Sequence, residues 1–149
     1  MIIDGKKYLT SSSREVQGTL ARILYEKCGS EVLPIIAEVF QEFGTVEGKK
    51  ARKKLPSADF AAAAKSFFGP GIEAGRAELV ELTDKKVIIR GRQCVMGLYG
   101  AGRETCRAVM AVDKAMLGEL TGKPLRMEIK KTVAANDEYC EVEFEVEED

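Results

Sequence analysis

No histidine and no tryptophan occur among the 149 residues. Without an imidazole, a Ser-His-Asp or Cys-His mechanism is excluded within one chain. Zinc sites and haem ligation that depend on histidine are excluded with it. No apolar run approaches the ~20 residues that a membrane span requires. The opening residues, Met-Ile-Ile-Asp-Gly-Lys-Lys, lack the anatomy of a secretory signal. The expected compartment is therefore the cytoplasm, where thiols stay reduced. A formal net charge of −1 offers no global attraction to nucleic acid or to an anionic membrane. Cysteine is also sparse. The four present (Cys28, Cys94, Cys106, Cys140) include no CxxC pair, so they read as thiols or metal ligands rather than as disulfides.

What is present describes one globular domain. A hydrophobic fraction of 45% beside 32% charged residues is ordinary for a folded protein, and the length suits a single core. Charge is uneven along the chain. Lys49, Lys50, Arg52, Lys53 and Lys54 form a basic run, and Asp137 to Asp149 carries eight acids and no base. Both are read as solvated faces. One basic turn without interleaved aromatics gives a nucleic-acid role poor footing.

Periodicity divides the chain into a helical part, about 12–68, and a sheet part, about 76–147. Ser12 with Glu15 three residues on forms a capping box, and Val16, Leu20, Ile23 and Leu24 follow at helical spacing up to a glycine cap at Gly29. A second helix starts after Ser30, with Pro34 in its first turn and a broad apolar stripe from Val32 to Phe43. Gly44 and Gly48 in that helix either kink it or permit close approach of another helix. A third helix, capped by Ser57, is expected to stop at Gly69-Pro70-Gly71. Two strands follow, 76–82 and 86–93, joined by a turn at Thr83-Asp84-Lys85. After a glycine-rich loop, 96–102, one long helix is expected over 103–120. Strict alternation then predicts a terminal hairpin, with Cys140, Val142, Phe144 and Val146 facing inward and glutamates facing out. The fold class is α+β: N-terminal helices packed with a twisted antiparallel sheet, and a long helix before the C-terminal hairpin.

Three cysteines fall at comparable places in this scheme. Cys94 closes a strand, Cys106 faces inward from the next helix, and Cys140 faces inward from the last strand. They are plain core thiols, a thiolate site for zinc or another metal, or a reactive thiol. Cys106, near a helix start, is the candidate nucleophile, since a helix dipole and Arg92 or Arg103 would favour its thiolate. The loop Gly97-x-x-Gly100-x-Gly102 precedes a helix, yet it matches neither GxGxxG nor a GK[ST] phosphate loop, so a flexible pocket lip is the better reading. Met96, Tyr99 and Met110 join the cysteines as candidate ligand-binding residues.

The run Lys130-Lys-Thr-Val-Ala-Ala-Asn-Asp-Glu-Tyr-Cys-Glu-Val-Glu-Phe144 resembles the terminal signature of 4-vinyl-reductase-type, hydrocarbon-binding domains. That signature is a strand, a turn ending in Asp, two residues, a cysteine, then an alternating strand. L-2-amino-thiazoline-4-carboxylic acid hydrolase-like proteins share a similar ending, and Phe43-Gly44 with Gly48-Lys49-Lys50 is similar in style to them. The likeness spans about residues 30–146, with Asn136 standing where glycine is usual. It implies an α+β fold, an enclosed pocket for a small hydrophobic molecule, and a homodimer formed through helices. By position it assigns Cys94, Cys106, Cys140 and Asp137 to the family pattern. The expectation is a small-molecule-binding sensor or carrier with a cysteine-containing pocket between the sheet and helix 103–120. A thiol-dependent hydrolase of a small sulfur–nitrogen heterocycle and a ligand-free dimerisation module are the alternatives.

Overall fold

The computed structural model describes residues 1–55 and 59–148, and its architecture is α+β. It opens on a hairpin that the periodicity of the sequence does not single out, β1 (Ile2–Ile3) paired with β2 (Lys6–Lys7). Asp4 and Gly5 supply the two positive φ values, 50° and 78°, that a two-residue turn of this hand requires.

Helix α1 (Ser13–Cys28) begins at its expected cap, where the Ser12 hydroxyl oxygen accepts the Glu15 N–H at 3.1 Å. Helix α2 (Leu33–Arg52) carries Pro34 in its first turn, where a missing N–H costs little. Lys49, Lys50 and Arg52 occupy its last turn, facing the negative end of the helix dipole. Helix α3 (Phe60–Glu73) is capped by Asp59, whose carboxylate accepts the Ala62 N–H at 2.8 Å. The cap expected at Ser57 lies outside the described residues. The expected stop at Gly69-Pro70-Gly71 is a misreading, because α3 continues through Pro70 to Glu73. Its terminator is Gly75, at φ 76°. There the Arg76 N–H reaches the Gly71 carbonyl at 2.9 Å and the Gly75 N–H reaches Ile72 at 3.0 Å, the paired bonds that close a helix on a left-handed residue.

Strands β3 (Ala77–Leu82) and β4 (Lys86–Gly91) follow, then α4 (Arg103–Val109), α5 (Ala111–Thr121), β5 (Leu125–Lys131) and β6 (Cys140–Val146). The helix expected over 103–120 is thus interrupted at Met110, whose ψ of −6° ends α4 before α5 begins. Gly122 at φ 67° closes α5. The sheet order is β3-β4-β6-β5, antiparallel throughout.

Register assigns the two faces of the sheet. Val87 lies opposite Phe144, Ile89 opposite Val142, and Met127 and Ile129 oppose the same two residues from the other side. This apolar face meets α3, α4 and α5, and Phe60, Leu98, Leu117 and Phe144 are almost wholly buried. Each such side chain contributes about 1.5–3 kcal/mol through burial. The opposite face is a ladder of charge. Arg90 meets Glu141 at 2.8 Å, Arg126 meets Glu145 at 2.6 Å, and Lys130 meets Glu143 at 3.6 Å. The acidic terminal strand therefore lies between two strands that carry its counter-ions.

Helix α2 packs along α5 on the outer side. A Cβ on Gly44 would stand 2.3 Å from the Val112 carbonyl oxygen, and one on Gly48 would stand 2.7 Å from Glu119 Cβ. The two glycines permit close approach and do not kink the helix, which runs unbroken through both.

Candidate functional site

Two loops meet at one end of the sheet and hold the cysteines. Residues 94–102 lead toward α4, and residues 132–139 connect β5 to β6. The N–H groups of Gly100 and Gly102 donate to the carbonyls of Val133 and Ala134 at 3.2 and 2.8 Å. Those amides are consumed in joining the loops, so they are not presented to a phosphate. The Thr132 N–H donates to the Asp137 carboxylate at 2.9 Å, and the Asp137 N–H returns to the Thr132 carbonyl at 3.1 Å. Asn136, at φ 66°, takes the left-handed position between them, a conformation asparagine tolerates. The segment that carries the family resemblance is thus the strand, turn and strand that build this junction.

Each of the three thiols has its own donor. Cys106 Sγ accepts the Thr132 hydroxyl at 3.3 Å, Cys140 Sγ the Val133 N–H at 3.4 Å, and Cys94 Sγ the Leu98 N–H at 3.4 Å. They stand within electrostatic reach of one another. Burial pushes the Cys106 thiol up to about 11, against a weaker pull from the Thr132 hydroxyl, and burial raises Cys94 as well. Burial therefore disfavours the Cys106 thiolate as a nucleophile at neutral pH. Among the described residues no three cysteine, aspartate or glutamate side chains are arranged to hold a metal ion. Zinc does not fit this donor set. Cys28 is exposed at the end of α1.

Met96 and Tyr99 lie in the first of these loops, and Met110 lies apart from both. The Met96 carbonyl rests against Gly18 of α1, where a Cβ would come within 1.9 Å. Met110 forms the break between α4 and α5. Tyr99 is exposed, and its hydroxyl oxygen accepts the Cys94 N–H at 3.0 Å.

A groove of about 620 Å³ opens elsewhere, between α2, α5 and the edge strand β5. Small-molecule sites typically measure ≈ 300–1,000 Å³. Its floor is the outward stripe of α5, Ala111, Ala115 and Gly118, and its walls are Gln41 and Thr45 on one side and Leu125 and Met127 on the other. Arg107, Lys114 and Lys123 stand at the rim. None of Cys94, Cys106, Cys140, Met96, Met110 and Tyr99 lines it. Reasoning from sequence does not find this site. Its one legible sign is the spacing of Ala111, Ala115, Gly118 and Gly122 along a single helix stripe.

Two further features bear on function. Asp113 of α5 is partly buried, and desolvation pushes its carboxyl up to about 6 against the pull of Arg14. Helix α2 exposes Ile35, Val39, Phe43 and Val46 at 61%, 63%, 52% and 42%, an apolar stripe pointing away from α5. Helix α1 exposes Val16, Leu20 and Leu24 in the same way. No helix among the described residues is long and apolar enough to cross a membrane.

No family model matches the chain, and no curated protein matches it. Solved structures do. The fold is similar to the phenol-responsive sensory domain of the transcription activator PoxR, crystallised with phenol. That likeness has a TM-score of 0.66 at 12% identity and covers 95% of this chain and 78% of that one. It is also similar to a trafficking protein particle complex subunit 3 from Naegleria fowleri, covalently bound to palmitic acid. Here the TM-score is 0.62 at 14% identity, covering 91% of this chain and 95% of that one. At such identities the likeness is one of fold.

Proposed function

We propose that this chain is a small-molecule-binding domain, acting as a sensor or carrier, whose ligand lies in the groove between α2, α5 and β5. The observation that carries this reading is the groove, which is of ligand size and bounded by two helices and a strand that the core holds in place. Two lines support it. Similar folds have been solved with phenol and with palmitic acid, and the terminal motif resembles that of hydrocarbon-binding domains.

The thiols have a different part in this reading. Cys94, Cys106 and Cys140 secure the junction of the two loops, so the ligand site is separate from them. A thiol-dependent hydrolase is less well supported, because burial disfavours the thiolate of the candidate nucleophile Cys106. A homodimer through α1 and α2 accompanies the binding reading, since their exposed apolar stripes lie on faces that the rest of the fold leaves uncovered.

Thermal unfolding in the presence of phenols and medium-chain fatty acids tests the proposal. A groove ligand at a hundredfold its Kd should raise Tm by roughly 5–10 °C. No stabilisation by any member of the panel, together with a clean mass for the protein as purified, would sink the reading.

A further inference from the structure

Three cations gathered at one cavity bear on the chemistry of this groove. On the sheet almost every cation has a carboxylate partner. Lys85 meets Glu148, Lys86 meets Glu81, Arg90 meets Glu141, and Arg126 meets Glu145, at 2.7, 3.0, 2.8 and 2.6 Å. On α1 Arg22 and Lys27 are matched to Glu26 and Asp4 in the same way, while Arg14 forms no ion pair among the described residues. Other cations, Lys49, Lys53 and Lys65 among them, stand singly without an ion pair among the described residues, but around the groove three such cations are gathered. Arg107, Lys114 and Lys123 form no ion pair within 4 Å among the described residues, although Lys123 lies within electrostatic reach of Glu148, and all three border one cavity.

The single acid among the lining residues, Glu119, does not neutralise them. Its Cβ lies where α2 crosses α5 at Gly48, and its carboxylate forms no ion pair with them. Nearby, Arg52 is committed to the backbone. Its Nη1 donates to the Glu119 and Leu120 carbonyls, each at 3.2 Å, closing the end of α5. The groove therefore has a fixed end and an excess of positive charge at its rim.

The floor points to an organic occupant. At Gly18, Gly44 and Gly48 a Cβ would meet a neighbouring atom at less than 3 Å, so close packing requires each of these glycines. At Gly118 the nearest atom to a Cβ would be the Lys123 carbonyl oxygen, at an ordinary 3.6 Å. Glycine within a helix costs about 1 kcal/mol relative to alanine. At Gly118 helix packing gives nothing in return, and the missing side chain serves only to deepen the groove between Ala111, Ala115 and the apolar wall of Leu125 and Met127.

We infer that the groove binds a small organic anion, with an acidic group held by Arg107, Lys114 and Lys123 and a short apolar body lying on the Ala111–Ala115–Gly118 floor. This inference rests on the proposed ligand site and specifies the ligand class. Arg107 offers the paired donors that suit a carboxylate, and the two lysines act as adjustable point charges.

Isothermal titration with matched probes tests it: benzoate against benzyl alcohol, and octanoate against octanol. The proteins are wild type, the double variant K114Q/K123Q, and the blocked variants G118L and T45W, which fill the groove from opposite sides. The expected result is that each anion binds the wild type about tenfold more tightly than its alcohol, as two charge-assisted contacts at a half-open site would give. That preference should vanish in K114Q/K123Q and shrink with added salt. Equal binding of anion and alcohol, with both blocked by G118L or T45W, would overturn the anion inference and leave the groove as the ligand site. Binding that neither blocked variant weakens, or no binding of any probe, would overturn both.

Discussion

Gly44 of α2 lies so close to the backbone of Val112 in α5 that a Cβ would stand 2.3 Å from the Val112 carbonyl oxygen. Carbonyl oxygen is not a flexible neighbour, so the helices must separate to admit a methyl group. Gly44→Ala should destabilise the fold by about 1–3 kcal/mol, since the gain in helix propensity is smaller than the cost of overpacking. Gly118→Ala, on the same helix pair but facing the groove, should stabilise by about 0.5–1 kcal/mol. Urea unfolding of both variants checks the contrast, and equal effects would refute the packing argument.

Asp113 gives stability a pH dependence of defined sign. Its carboxyl is raised from the ordinary 3.8 to about 6 by desolvation. Between these values the folded chain holds the proton and the unfolded chain has lost it. Stability from this group is therefore full below about pH 4 and is lost as pH rises through 6. Asp113→Asn should stabilise the protein at pH 7 by on the order of 2 kcal/mol and have little effect at pH 3.5. An Asn variant that is less stable than wild type at pH 7 would mean that the charge has a favourable partner.

The thiols should separate by reactivity. Cys28 is exposed, whereas Cys106 is buried with its pKa raised to about 11. Iodoacetamide at pH 7.5 should label Cys28 first and leave Cys106 unmodified until the protein is unfolded. Peptide mass mapping over time reads this directly. Fast labelling of Cys106 in the folded protein would restore the nucleophile reading.

Oligomeric state depends on the uncovered helix faces. Ile35, Val39, Phe43 and Val46 of α2, with Val16, Leu20 and Leu24 of α1, are large apolar side chains left exposed, the kind of surface that marks a protein interface. Light scattering should find a dimer for the wild type. A charge at the centre of the stripe, Val39→Glu, should give a folded monomer. A monomeric wild type would leave the stripe without a partner of its own kind.

Much of the fold is legible in the sequence because its signals are local. Ser12 and Glu15 mark the start of α1, and the alternation from Cys140 to Val146 predicts both the strand and its buried face. Sequence reasoning fails where distant groups decide the outcome. Pro70 does not stop α3, because the closing bonds are made at Gly75 and Arg76. Met110 breaks a helix whose periodicity runs through it, and no residue type there announces the break. The Asp4-Gly5 turn is a local signal too, but strands of two residues on either side carry no periodicity to confirm it. The candidate site is the hardest part. Cysteines draw attention by their chemistry, yet the groove depends on which helix faces α2 and β5 cover. Ala111, Ala115 and Gly118 become a floor only when both walls are in place. That Arg107, Lys114 and Lys123 form no ion pairs among the described residues is likewise a property of the assembled surface.

The central claim is that ligand binds between α2, α5 and β5. An amide chemical-shift titration of uniformly labelled protein with octanoate tests it most directly. The account requires saturable shifts clustered at Gln41, Thr45, Ala115, Gly118 and Lys123, with the amides around Cys94 and Cys140 unmoved. Shifts centred on the cysteine junction, or none at the groove, would contradict it.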